Sequence, residues 1–254
     1  MAADRFSLAG KIALVTGGTR GIGRAIALSF ARAGASVVVV SRKQAAVDAT
    51  VTELRAVGPG AVGIACNVSH IDETVAMVAN AAAAFGGLDI VVNNAAVNPV
   101  FGPVENTATE VFDKIVAVNV RAPFEIAKAA RVHFIARGAG AIVNISSIGG
   151  VSPEPGLGIY SMSKAALISL TQVMAKEWGK DNIRANAICP GLIKTDFSST
   201  LWQNENILKH TLRSQAIARL GEPDDIATLA LFLASDAGSF CTGGVYMADG
   251  GYTV

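Results

Sequence analysis

The sequence predicts an α/β fold in one domain over residues 1–254, a doubly wound parallel sheet with helices on both faces. Three observations predict it. Short β-branched runs alternate with alanine-rich helical stretches through the first half of the chain. The run Val37–Val40 is four valines, apolar toward both faces, as a strand covered on both sides must be. No internal repeat, linker or low-complexity tract interrupts the alternation. Right-handed crossovers between such strands then give a doubly wound fold.

The elements follow in order. Ile12–Val15 reads as a strand and Gly21–Ala33 as a helix. Val37–Val40 is a strand, and Gln44–Val57 a helix stopped by Gly58-Pro59-Gly60. Val62–Cys66 is a strand. Ser69, with Asp72 three residues on, is expected to cap a helix that runs to Phe85 and ends at Gly86-Gly87. Ile90–Val92 is a strand. Thr107 and Glu110 form a second expected capping pair, opening a long helical region that ends near Gly138. Ala141–Ile145 is a strand, Ile159–Trp178 a helix, Ile183–Ile188 a strand and Val245–Met247 a last short strand. Gly191–Leu220, before a helix opened by Pro223, is read as irregular and long enough to form a lid.

Composition excludes several classes. A net charge of +1 gives no broad attraction to nucleic acid or anionic membrane. No apolar run reaches about 18 residues, so no membrane span is expected. Met1–Phe6 carries Asp4 and Arg5 and does not read as a secretory leader. The Tyr252-Thr253-Val254 ending is not a peroxisomal address. Cys66, Cys189 and Cys241 are odd in number and far apart, as expected of reduced thiols in a cytoplasmic protein. His70, His133 and His210 stand apart from one another and from the cysteines, so no metal site is expected.

The chemistry begins at Thr16-Gly17-Gly18-Thr19-Arg20-Gly21-Ile22-Gly23, between the first strand and first helix. Absent side chains let the backbone turn sharply and approach a pyrophosphate, while the helix N-terminus supplies free N–H groups. Such a turn also serves packing alone, but its strand–turn–helix setting is that of a Rossmann-type dinucleotide site. The second strand ends Val40-Ser41-Arg42-Lys43 with no acid until Asp48. An acid there would select NAD. Ser41 and Arg42, with Arg20 from the glycine loop, suit a ribose 2′-phosphate and favour NADP(H) over NAD(H). The alternative is that Arg42 and Lys43 are solvated residues leading into a helix.

Tyr160-Ser161-Met162-Ser163-Lys164 places a phenol and an ammonium one helical turn apart. The ammonium is expected to lower the phenol's pKa and make it a proton donor or acceptor for a carbonyl or alcohol. The spacing alone occurs by chance in any helix. Ser147, at the end of a strand thirteen residues upstream, can hydrogen-bond the reacting oxygen, although Ser146 and Ser147 also suit a simple turn or cap. Asn119 interrupts a long helix, either as a water-binding kink that passes protons to Lys164 or as one polar residue satisfied by the backbone. Val97, Phe101, Val151, Leu192, Phe197, Leu201 and Trp202 lie in segments leaving the C-terminal sheet edge and are expected to form an apolar substrate wall with Ser147. Phe197, Leu201 and Trp202 equally fit one face of a lid helix packed on the core.

Together these residues resemble the short-chain dehydrogenase/reductase family over about Leu8–Gly251, through the glycine loop, Asn93-Asn94-Ala95, Asn119, Ser147, Tyr160, Lys164 and Pro190-Gly191. The resemblance implies a catalytic tetrad of Asn119, Ser147, Tyr160 and Lys164. It implies cofactor contacts from Gly17, Thr19, Arg20, Gly21, Ile22, Gly23, Ser41, Arg42, Asn67, Val68, Asn94, Ala95, Tyr160, Lys164, Pro190, Gly191, Ile193 and Thr195. Two positions depart from the family: Asn67 stands where an aspartate usually accepts from the adenine amino group, and Ala96 where glycine is usual. An amide oxygen at Asn67 is expected to accept that bond still. A narrower likeness, carried by Ser41–Gln44, Asn94–Pro99 and Pro190–Thr195, is to NADPH-dependent carbonyl reductases of the dehydrogenase/reductase member 4 type. It implies hydride transfer between NADP(H) and ketones, aldehydes or alcohols, in a homotetramer. The alternatives are a 3-oxoacyl carrier-protein reductase, which shares these motifs, and a non-catalytic dinucleotide-binding protein on the same fold.

Overall fold

Seven parallel strands form one sheet in the order β3-β2-β1-β4-β5-β6-β7. They are β1 Ile12–Thr16, β2 Ser36–Ser41, β3 Gly60–Ala65, β4 Ile90–Asn93, β5 Gly140–Ile145, β6 Ile183–Pro190 and β7 Val245–Ala248. This computed structural model describes residues 4–254. Residues 1–3, part of the segment expected not to be a secretory leader, lie outside the described residues. Among the described residues no helix is long and apolar enough to cross a membrane.

Helices cover both faces as the valine run requires. On one face α1 (Gly21–Arg32), α2 (Gln44–Arg55) and α9 (Pro223–Ala234) bury Ile26, Phe30, Leu54 and Ile226 against Val37 and Val39. On the other, α3 (Ile71–Phe85), α5 (Ala122–Arg137) and α6 (Gly158–Trp178) bury Met77, Phe134 and Met174 against Val38 and Ile142. The winding reverses between β1 and β4, and the crevice at their C-terminal ends is where such sheets bind ligands.

Two expected caps are corrected. The first residue before α3 is His70, with no side-chain cap, because Ser69 turns its hydroxyl to Asn67 Oδ1 (3.0 Å). The long helix begins at α4 (Thr109–Val116), preceded by an uncapped Ala108; Thr107 instead closes a 3₁₀ turn over Val104–Asn106. That long helix is also not uniform. A π turn at Ala117–Arg121 joins α4 to α5 and carries Asn119, and α5 ends at Gly138 in the left-handed region (φ 80°). The stretch expected to be irregular contains α7 (Ser199–Trp202) and α8 (Glu205–Ser214).

One buried carboxylate ties the sheet's N-terminal edge together. Asp89 accepts from the Ile12 amide (2.9 Å) and from Arg137 Nε and an Arg137 terminal nitrogen (3.0 and 3.2 Å). Removing it orphans a buried N–H at the start of β1. Asp89→Ala is expected to cost about 1–3 kcal/mol of stability, the range for an unsatisfied buried donor. A urea midpoint equal to wild type would exclude that role.

Candidate active site

The glycine turn is shaped by close approach. Gly17 and Gly21 hold φ of 61° and 50°, and a Cβ at Gly17 would come within 2.8 Å of Asn94 Nδ2. Gly23 serves packing, since a Cβ there would meet the Gly17 carbonyl oxygen at 2.3 Å. Thr16 and Asn94 brace the turn. Thr16 Oγ1 accepts from the Asn94 and Ala95 amides (3.1 and 3.2 Å), and Asn94 Nδ2 donates to the Thr16 and Gly17 carbonyls (3.0 and 3.1 Å). The Gly18 amide donates to the Val40 carbonyl (3.1 Å), drawing the turn against the end of β2.

A cavity of about 1050 Å³ opens above this edge. Gly17, Thr19, Arg20, Gly21 and Ile22 line it from the turn, Ser41 and Arg42 from the end of β2, and Asn67 and Val68 from the end of β3. Gly23, expected to touch the cofactor, is not among the lining residues, and neither is Lys43. Asn67 differs from expectation in one respect: its Oδ1 already accepts from the Ser69 amide (3.3 Å) and hydroxyl (3.0 Å), so an adenine amino group would compete with both. Asn94, Ala95, Pro190, Gly191, Ile193 and Thr195 line the middle of the cavity. The residues present fit a dinucleotide: the N-terminus of α1 has no side-chain cap and no acid in its first turn, leaving its N–H groups and positive dipole end for phosphate.

Ser147, Tyr160 and Lys164 line the same cavity. β5 delivers Ser147, whose Oγ accepts from the Gly149 amide (3.1 Å) and keeps its proton for another acceptor. Ser146 serves as a brace, donating to the Lys164 carbonyl (2.9 Å). Lys164 is buried; its Nζ donates to the Ile145 carbonyl (2.8 Å) and lies 5.6 Å from the centre of the Tyr160 ring. The expected lowering of the phenol's pKa is therefore corrected. Burial pushes Tyr160 up to about 12, with the neighbouring Ser147 hydroxyl working against it, while burial brings Lys164 down to about 8. The ammonium is engaged by a carbonyl, and the low dielectric opposes charge on both groups.

Asn119 does not line the cavity. Its Oδ1 accepts from the Val97 amide (2.9 Å), and its Nδ2 donates to the Val97 carbonyl (3.0 Å) and Ser163 Oγ (3.0 Å). Ser163 Oγ in turn donates to the Tyr160 carbonyl (2.7 Å). The segment is a π turn, and the Asn119 side chain in it is satisfied by the Val97 backbone and Ser163, clamping the Val97 loop to the tyrosine's own helix.

Of the expected apolar wall, Val97, Phe101, Leu192, Phe197 and Leu201 line the cavity. The Phe197 ring lies 6.2 Å from that of Tyr160. Val151 and Trp202 do not line it. Val151 is half exposed at the end of a 3₁₀ turn, and the Trp202 indole donates to the Thr195 carbonyl (2.9 Å), tying α7 to the segment that follows β6. Sequence reading missed Glu154, His210 and Tyr252, which also line the cavity. Asn204 caps α8 by accepting from the Asn206 and Ile207 amides (3.0 and 3.2 Å), and that capping residue was the available signal for a helix bringing in His210. Among the described residues no cluster of three potential metal ligands is present.

A cavity lined by a glycine turn at a helix N-terminus and by Tyr160 and Lys164 points to an oxidoreductase, and comparison agrees. A family profile described as enoyl-(acyl carrier protein) reductase matches residues 17–253. The chain belongs to the short-chain dehydrogenase/reductase family. Human dehydrogenase/reductase SDR family member 4 is 46% identical over 250 residues, covering 97% of this chain and 89% of that protein. A 7α-hydroxysteroid dehydrogenase solved with NADH and 7-oxo glycochenodeoxycholic acid superposes with a TM-score of 0.94 at 34% identity, covering 99% of this chain and 97% of that one. A short-chain dehydrogenase from Burkholderia cenocepacia J2315, solved with NADP, has a TM-score of 0.91 at 35% identity, covering 99% and 100%.

Proposed function

We propose that this chain is an NADP(H)-dependent carbonyl reductase, or alcohol dehydrogenase in the reverse direction, acting on hydrophobic or aromatic ketones and aldehydes. The observation that carries the reading is one cavity lined at one end by Arg20, Ser41 and Arg42 and at the other by Ser147, Tyr160 and Lys164 beside Phe101, Phe197 and Leu201. Resemblance to NADPH-dependent carbonyl reductases supports it.

A bound nicotinamide dinucleotide supplies hydride to the carbonyl carbon in reduction and accepts it in oxidation. Tyr160 donates its phenolic proton to the carbonyl oxygen, and Ser147 hydrogen-bonds that oxygen and orients it. Lys164, brought down to about 8 by burial, carries positive charge beside the tyrosine below that pH and would take part in holding the cofactor's ribose. Asn119 supports the tyrosine through Ser163, which bonds the Tyr160 carbonyl. With Tyr160 raised to about 12, the phenol stays protonated through the neutral range and reduction has its donor. Alcohol oxidation needs the phenolate, whose fraction rises about tenfold per pH unit below the pKa. Oxidation is therefore expected to accelerate with pH while reduction does not. Parallel pH profiles in the two directions would exclude Tyr160 as the titrating group.

The decisive assay follows NADPH oxidation with aryl ketones, small polar aldehydes and an acetoacetyl thioester. Bulky aryl ketones are expected to be reduced best. Preference for the thioester would favour the 3-oxoacyl carrier-protein reductase reading, and no oxidation with any carbonyl the non-catalytic one. A hydrophilic sugar better than every aryl ketone would overturn the apolar wall.

We further propose a cytoplasmic homotetramer. Phe124, Val132 and Ile135 on α5, with Met162 and Val173 on α6, are exposed and suit one interface; Met247 and Val254 suit another. Sedimentation at micromolar concentration is expected to show a tetramer, and a stable active monomer would contradict it.

A further inference from the structure

Glu154 is an exposed carboxylate on the lining of the cavity, in the turn between β5 and α6, six residues before Tyr160. Its turn is held in place: the Leu157 amide donates to the Glu154 carbonyl (3.2 Å) and the Gly102 amide to the Gly156 carbonyl (3.1 Å). The Phe101 ring closes on Gly156, where a Cβ would come within 2.8 Å of it. Among the described residues Glu154 makes no ion pair. Its side-chain partner is the Tyr252 hydroxyl, which donates to Glu154 Oε1. Tyr252 is itself presented by a fixed turn, since Asp249 accepts from the Gly251 amide (2.9 Å), the Thr253 amide (3.0 Å) and the Thr253 hydroxyl (2.7 Å). A phenol orients a carboxylate without cancelling its charge. The Tyr252 pKa already reflects that charge: burial first, then Glu154, push it up to about 12.

The other charges on the cavity wall do not neutralise this one. Arg20 and Arg42 belong to the ends of the glycine turn and β2, and Lys164 is buried on the Ile145 carbonyl. The remaining charged or titratable lining groups are Lys114 from α4, Asp196 from the segment after β6 and His210 from α8, and none of them is ion-paired to Glu154. Phe101, whose ring closes on Gly156, and Leu157, from the same turn as Glu154, also line the cavity.

We propose that Glu154, oriented by Tyr252, is a specificity-determining residue: it admits neutral and cationic carbonyl compounds and rejects anionic ones. The proposal rests on the carbonyl-reducing function and narrows its substrate class. It also disfavours thioesters carried on phosphate-bearing groups.

The test uses three acetophenones of one shape, para-substituted with carboxylate, carboxamide and aminomethyl groups. Each is titrated calorimetrically into the protein saturated with whichever oxidised nicotinamide dinucleotide binds tighter, so no turnover occurs. In wild type the carboxamide is expected to bind about tenfold more tightly than the carboxylate, and the ammonium at least as tightly as the carboxamide. Salt at about 1 M, with a Debye length near 3 Å, should compress the series. Glu154→Gln keeps the shape and the acceptor and should bring the three affinities together. Tyr252→Phe keeps the charge and should preserve the order. Equal affinities in wild type, tighter binding of the carboxylate, binding of none of the three, or an order unchanged in Glu154→Gln would overturn the proposal. Turnover is read separately: no reduction of any ketone with the binding order intact would sink the carbonyl-reducing function alone.

Discussion

Tyr160→Phe is expected to lower turnover at least about 100-fold, the lower end for loss of a positioned general acid. The substitution removes one oxygen and keeps the ring. The ring's contact with Phe197 therefore survives, as do the Lys164–Ile145 bond and the Ser163 bond to the Tyr160 backbone carbonyl. Ser147 cannot replace the lost proton donor, because a hydroxyl that hydrogen-bonds the oxygen is far too weak an acid to complete the transfer at neutral pH. Cofactor affinity should hardly change, so the loss should fall on kcat. Single-turnover kinetics with saturating NADPH and an aryl ketone measure it, and near-normal turnover would remove Tyr160 from the mechanism.

The second large effect is in cofactor choice. Arg20, Ser41 and Arg42 line one end of the cavity, and among the described residues neither arginine is engaged in an ion pair. Two charge-assisted bonds to a 2′-phosphate, at about 1.5–3 kcal/mol each, would favour NADPH by roughly 10²–10⁴-fold. Both guanidinium groups stand in an exposed setting, so screening makes about 100-fold the expected figure. Ser41→Asp places a carboxylate on the last residue of β2, where it repels the phosphate and accepts from free ribose hydroxyls, and should reverse the preference. Arg42→Ala should weaken NADPH and leave NADH binding unchanged. Titrations of both cofactors against the three proteins decide the matter, and equal or tighter NADH binding in wild type would overturn the assignment.

The strands and the glycine turn were legible because one local pattern carries each. Four consecutive valines have no other soluble use than a strand buried on both faces, and a strand–glycine turn–helix sequence has few backbone solutions. Tyr160 and Lys164 were legible by spacing, since a helix fixes their mutual direction. The caps at Ser69 and Thr107 were misread because hydroxyl residues near a helix start have competing local partners, here Asn67 and a 3₁₀ turn. The phenol's pKa was misjudged because spacing along a helix says nothing of burial, and burial is what raises Tyr160. Glu154 and Tyr252 were invisible because they are 98 residues apart and meet only through the folding of two turns.

The π turn at Ala117–Arg121 acts as a phase shifter in a continuous rod. α4 faces α6, whereas α5 must direct Ile126, Ala130 and Phe134 into the core shared with α3. One extra residue in a turn offsets the downstream helix by about 100° around its axis. Deleting a single residue there would rotate one of the two faces out of register with its neighbour. Either the core loses Phe134, or the clamp from Asn119 to Val97 and Ser163 opens. Length variation harmless in a surface loop is thus forbidden at this point, because the hydrophobic core and the tyrosine's support are set by the same angular offset.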